Sequence, residues 1–176
     1  MSSSSESQSR QSTPDSTRIL LVSCFGLGLA PVAPGTFGTL GGVALAVPLA
    51  HAPWLPYWLW LLVATGLLTL LGIVLGEWAE RYFGRKDPGQ FVIDEVAGYL
   101  VTIAVFDVFF RRPPELYGYV AAFLLFRAAD ILKPPPGRRL EALAFGLGVM
   151  LDDICVALCY SGPALALLGW MGFTWL

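Results

Sequence analysis

Charged residues in this chain fall in short clusters between long apolar runs. No Asp, Glu, Lys or Arg occurs in residues 19–76, and none occurs in residues 154–176. Residues 54–76 form an apolar stretch with Trp54, Tyr57, Trp58 and Trp60 at one end. A helix needs about 20 apolar residues to cross about 30 Å of hydrocarbon, and aromatic side chains collect at the interfaces. The pattern predicts a spanning helix over 54–76.

The remaining runs predict further helices. Residues 26–42 are too rich in Gly and Pro for an uninterrupted helix, and the apolar segment 40–50 ends at a His51-Ala52-Pro53 turn. Residues 77–89 read as a polar joint. Helices follow over 91–110, with Asp94 and Glu95 at its start, and over 116–132, with Arg127 and Asp130 at its end. Arg111-Arg112-Pro113-Pro114 separates them, and 133–141 is a proline-broken loop. A last helix is expected from Asp152-Asp153 to the C terminus, kinked at Ser161-Gly162-Pro163. Residues 1–17 hold eight Ser and read as a flexible polar tail ahead of a single domain over 18–176. They read as a tail and not a secretory leader, because the weakly basic region before Ile19 is long and a Gly/Pro-rich stretch follows it.

Composition narrows the class. Apolar residues make up 56% of the 176 and charged residues 14%, against about 25% charged in ordinary soluble domains. A net charge of −2 excludes a basic nucleic-acid binder. Three cysteines in apolar stretches and a single histidine give neither a disulfide framework nor a zinc pattern. The expected fold is an all-α, polytopic membrane helical bundle. Threaded through a bilayer, one face receives Arg10, Arg18, Arg81, Arg85, Lys86, Arg127, Lys133, Arg138 and Arg139. The other receives only Arg111 and Arg112. Basic residues accumulate on the cytoplasmic side, so the first face is expected to be cytoplasmic.

The same threading brings Asp94, Glu95, Asp130, Asp152 and Asp153 to the cytoplasmic ends of three helices. Carboxylates near a membrane are costly and usually functional, and five together need a counter-charge. Hard oxygen ligands suit Mg²⁺, which takes one or two carboxylates, waters and phosphate oxygens. Arg127, Lys133 and Arg138 could neutralise phosphate; structural pairing of these bases with the acids is the plainer alternative. Gly35-Thr36-Phe37-Gly38-Thr39 reads as a Gly-rich turn before a helix, able to cradle phosphate through backbone N–H groups. Cys155 and Cys159 lack the Arg six residues on that a cysteine phosphatase needs, and His51 falls on the opposite face. Metal-activated water is therefore favoured over covalent catalysis. A small helical transporter using intramembrane acids is the rival reading.

Four ordered segments carry a resemblance. GLGLAPVAPGTFGTLGG, DPGQFVIDEVAGYLVT, FLLFRAADILKPPPGRRLE and FGLGVMLDD are similar to the phosphatidylglycerophosphatase A family over roughly residues 24–160. The resemblance implies a Mg²⁺-dependent enzyme of the bacterial inner membrane that hydrolyses phosphatidylglycerophosphate to phosphatidylglycerol. It points to Asp94, Glu95 and Gly98 of DExxG, to Arg127, Asp130 and Lys133 of FRxxDxxKP, and to Asp152-Asp153. Thr36 and Gly38 belong to its PGTFG segment. Metal ligation is expected of Asp94, Glu95, Asp130 and Asp153. The chain departs from the family's DDxxAG at Val156-Ala157, which bears on helix packing and not on the acids.

Overall fold

The computed structural model describes residues 12–140, 143 and 145–172, and every regular element among them is a helix. Helix α1 spans Ser12–Val22 and so includes the last residues of the stretch read as tail. Asp15 lies in its first turn, where a carboxylate meets the positive end of the helix dipole. Residues 1–11 lie outside the described residues.

A short 3-10 turn, Leu27–Leu29, precedes α2, Pro34–Leu49. The glycine-rich stretch is thus broken only before Pro34, whose fixed φ suits the first helical position. The glycines beyond it are helical because α2 lies close on α4. A Cβ on Gly38 would stand 2.7 Å from Val92 Cβ, and one on Gly42 would stand 2.9 Å from Tyr99 Cδ1. Close packing outweighs the roughly 1 kcal/mol that each glycine costs a helix.

Helix α3, Tyr57–Phe83, continues through the first half of the expected polar joint. EWAERYF is made largely of helix formers, Arg81 pairs with Glu77 one turn earlier, and Gly84 ends the helix at φ 69°. Helix α4 is Ile93–Phe110 and α5 is Leu116–Leu132. After the single turn α6, Gly137–Leu140, come α7, Phe145–Val156, a π-turn over Ala157–Ser161, and α8, Gly162–Trp170. The last helix therefore starts at Phe145, and Asp152-Asp153 lie about two turns inside it. Gly146 makes that possible: a Cβ on Gly76 would meet Gly146 Cα at 2.2 Å, so α3 and α7 touch through backbone. The rod changes pitch at the π-turn just ahead of Gly162-Pro163. Val156 and Ala157 are both fully buried there.

Helix α4 is the axis of the bundle. It packs against α2, α3, α5, α7 and α8, and thirteen of its eighteen residues are buried. Leu61, Tyr99, Leu100, Ile103, Phe106, Phe126 and Leu165 form the main core around it. The outer helices turn large apolar side chains outward, among them Leu67, Val74, Leu124 and Leu167. Two helices, Tyr57–Phe83 and Gly146–Trp170, are long and apolar enough to cross a membrane.

Polar contacts mark the two ends of the bundle. At one end Asp107 Oδ2 accepts from the Trp58 backbone N–H at 3.0 Å, and the Tyr57 hydroxyl donates to the Ala46 carbonyl at 3.1 Å. At the other end Lys133 Nζ, after α5, lies 4.0 Å from Asp87 Oδ2 in the loop after α3. The acids gather at this second end.

Candidate active site

Asp94 and Glu95 occupy the first turn of α4, and Asp153 comes up beside them from α7. Oxygens from the three carboxylates all lie within 4.8 Å of one another. Asp94 is 5% exposed and Asp153 3%. Asp94 Oδ1, Glu95 Oε2 and Asp153 Oδ2 are buried without a hydrogen-bond partner. Burying a carboxylate oxygen unpaired is expensive, and three like charges in a low-dielectric site repel one another strongly. A hard cation fits this donor set, because it takes oxygen ligands and removes both penalties at once. A cavity of about 210 Å³ opens beside the trio and is also lined by Asp87, Asp130 and Lys133.

The other two acids are engaged with bases. Arg127 Nη1 donates to Asp130 Oδ2 at 2.6 Å and stands 4.0 Å from Glu95 Oε1. Lys133 Nζ lies 2.9 Å from Asp152 Oδ2. Both bases come from the end of α5, where Lys133 takes the left-handed conformation at φ 42° and closes the helix by donating its N–H to the Ala129 carbonyl. The five acids thus divide into a trio whose oxygens converge and a pair that fixes the two bases, with Asp152 Oδ1 also buried and partnerless. Arg127 Nε is itself buried with no partner, a donor left for an anion.

PGTFG forms the first turns of α2 and is not a separate loop, because Pro34 starts the helix. Gly35 is the residue facing the cluster: a Cβ there would lie 2.3 Å from Glu95 Oε1 and 3.0 Å from Arg127 Nη1. Gly38 packs on Val92, Thr36 is half-buried, and Gly98 makes room for the Phe126 ring and Asp153 Cβ. The positive end of the α2 dipole therefore points at the site through Gly35, since Pro34 has no N–H and the Thr36 N–H donates to the Ala33 carbonyl at 2.9 Å. The Arg138 side chain lies outside the described residues. Asp87 escapes the sequence reading, and Gly35 enters it only as one member of the Gly-rich turn. Both stand within the quoted segments, but only the folded geometry separates them from their neighbours.

Burial first, then the Asp94 carboxylate, push the Cys24 thiol up to about 12, so it stays protonated.

Fold and site define an all-helical protein that gathers acids and bases around one buried polar cavity at the end of a bundle. Residues 20–168 match the phosphatidylglycerophosphatase A family, and the chain belongs to it. A Haemophilus influenzae protein named phosphatidylglycerophosphatase A is 36% identical over 86% of this chain and 89% of its own length. The Escherichia coli protein of that name is 32% identical over 81% of this chain and 78% of its own. A Bacteroides thetaiotaomicron protein, named as a candidate phosphatidylinositol-3-phosphatase, is 37% identical over 90% and 97%. No solved structure matches the chain.

Proposed function

We propose that this protein hydrolyses the terminal phosphate of phosphatidylglycerophosphate, releasing phosphatidylglycerol and inorganic phosphate with the help of Mg²⁺. The observation that carries this reading is the Asp94, Glu95 and Asp153 trio, with its partnerless buried oxygens beside Arg127 and Lys133. Family membership and the names of the relatives support the choice of substrate. The transporter alternative finds no support, since the acid cluster sits at one end of the bundle.

Asp94, Glu95 and Asp153 would hold the Mg²⁺, with Asp130 at their edge. When bound, that ion supplies positive charge to the phosphoryl oxygens and makes water more acidic. Asp130 orients Arg127, whose remaining N–H donors reach phosphate oxygens in the planar geometry suited to them. Asp152 holds Lys133 as a second, point-like cation. The α2 N-terminus, brought close by Gly35, would add the partial positive charge of its helix dipole. The water oxygen bonds to phosphorus as the P–O bond to the headgroup glycerol breaks, and the proton that the water gives up ends on the departing glycerol oxygen.

The chain is read as a multi-pass protein of the bacterial inner membrane with its site on the cytoplasmic side. Helices α4 and α5, at 18 and 17 residues, are about 27 and 26 Å long, close to the hydrocarbon thickness. The headgroup phosphates stay in the interface while the acyl chains stay in the bilayer. In detergent micelles containing phosphatidylglycerophosphate and Mg²⁺, the purified protein should release inorganic phosphate, and EDTA should stop it. No release above a heat-inactivated control overturns the proposal. Faster release from phosphatidylinositol 3-phosphate, the substrate class in the name of the Bacteroides relative, would move the reading to that headgroup.

A further inference from the structure

A second cavity adjoins the catalytic one. It measures about 310 Å³ and lies between the Leu27–Leu29 turn with its sequel to Pro34 and the loop carrying Arg85, Gly89 and Gln90. Gly89 lines both cavities, so they meet across one residue without a side chain. Together they reach the size of a small-ligand site, about 300–1,000 Å³.

The walls are held together. A Cβ on Gly28 would come 2.4 Å from the Gln90 carbonyl oxygen, and the Val92 N–H donates to the Val22 carbonyl at 2.9 Å. The turn and the loop therefore form one fixed edge of the site. Two features of this second cavity ask for a ligand. Arg85, an exposed residue, lines it, and Gln90 Oε1 is buried with no hydrogen-bond partner. The first suits an anion, and the second suits a hydroxyl donor. The same turn exposes Phe25 (86%) and Val32 (75%), the apolar side chains expected where a headgroup pocket borders lipid.

The proposed substrate has this composition in this order. Its headgroup runs from a terminal phosphate monoester through a glycerol with one free hydroxyl to a phosphodiester at the lipid. We infer that the cavity of Arg85 and Gln90 is a headgroup subsite, in which Arg85 binds the phosphodiester and the Gln90 side-chain oxygen accepts from the glycerol hydroxyl, while the monoester lies over Asp94, Glu95 and Asp153. The inference rests on the phosphatase reading and adds to it a source of selectivity. A monoester carried directly on diacylglycerol, as in phosphatidic acid, reaches the acids but leaves this subsite empty.

Selectivity is the measurement. The ratio of kcat/KM for phosphatidylglycerophosphate to kcat/KM for phosphatidic acid is taken in the same Mg²⁺-containing micelles for the natural protein and for Arg85→Gln. Losing a charge-assisted hydrogen bond should lower that ratio by about ten-fold or more. Arg85→Lys, which keeps the charge, should retain most of it, and Gln90→Ala should lower it less than Arg85→Gln. An Arg85→Gln ratio equal to that of the natural protein overturns the subsite while leaving the phosphatase reading intact. A natural protein that releases phosphate from neither lipid overturns both. An Arg85→Gln protein that loses both activities in equal proportion assigns Arg85 to general folding or charge and overturns the subsite as well.

Discussion

Asp94 and Asp153 come from different helices, yet each keeps one buried oxygen without a partner, and together with Glu95 they bring oxygens within 4.8 Å of one another. Replacing either with Asn keeps the shape and removes one negative charge. Each change should reduce kcat about 10²-fold or more if the carboxylate ligates metal or moves a proton. The same change relieves like-charge repulsion in the metal-free protein. Thermal unfolding in EDTA should therefore show Asp94→Asn and Asp153→Asn at least as stable as the natural chain. A large drop in melting temperature with normal kcat would make these acids structural. The five acids were legible in the sequence, because charge is rare in such an apolar chain. Their division into a trio and two base-holding partners was not, because it depends on where the left-handed Lys133 turns its side chain. Asp87 was passed over for a similar reason: nothing in the segment KDPG distinguishes a loop acid from one that faces Lys133.

Between helices α3 and α7, Gly76 and Gly146 bring backbone against backbone. Gly76→Val should force the helices apart and cost about 1–3 kcal/mol, as overpacking does. Gly66, on the outer face of the same helix, has nothing within 4 Å of a built Cβ. Gly66→Ala should instead stabilise by about 0.5–1 kcal/mol through helix propensity. Unfolding of both variants in detergent measures the difference, and equal effects would refute the packing account. The sequence marked α5 to the residue because RRPP and KPPP bracket it. It misplaced the end of α3 and the start of α7 because apolarity reports burial or lipid contact, while helix continues wherever backbone bonds can be closed. EWAERYF stays helical though polar, and FGLG is helical though rich in glycine, since α3 lies directly against it.

For the molecule as a whole, the membrane reading makes the two ends of the bundle chemically opposite. The acid end carries the bases of the loops, and the other end carries Asp107, Arg111 and the Tyr57–Tyr119 pair. In a chain with Cys24, Cys155 and Cys159 replaced, a cysteine at exposed Arg139 should label only from the cytoplasm, and one at exposed His51 only from outside. Reversed labelling would overturn the orientation. Gly137 is unsuited to this test because a side chain there would press on Asp152 Oδ1 at 2.5 Å. The outward apolar faces of α3, α5 and α8 have one further consequence. On the membrane reading, protein and substrate share a two-dimensional solvent, so the concentration that matters is lipid per unit of surface, not lipid per litre. Turnover should stay constant when whole mixed micelles are diluted with buffer and should fall when plain detergent is added at fixed lipid. An enzyme that drew its substrate from water would respond to the two dilutions in the opposite way.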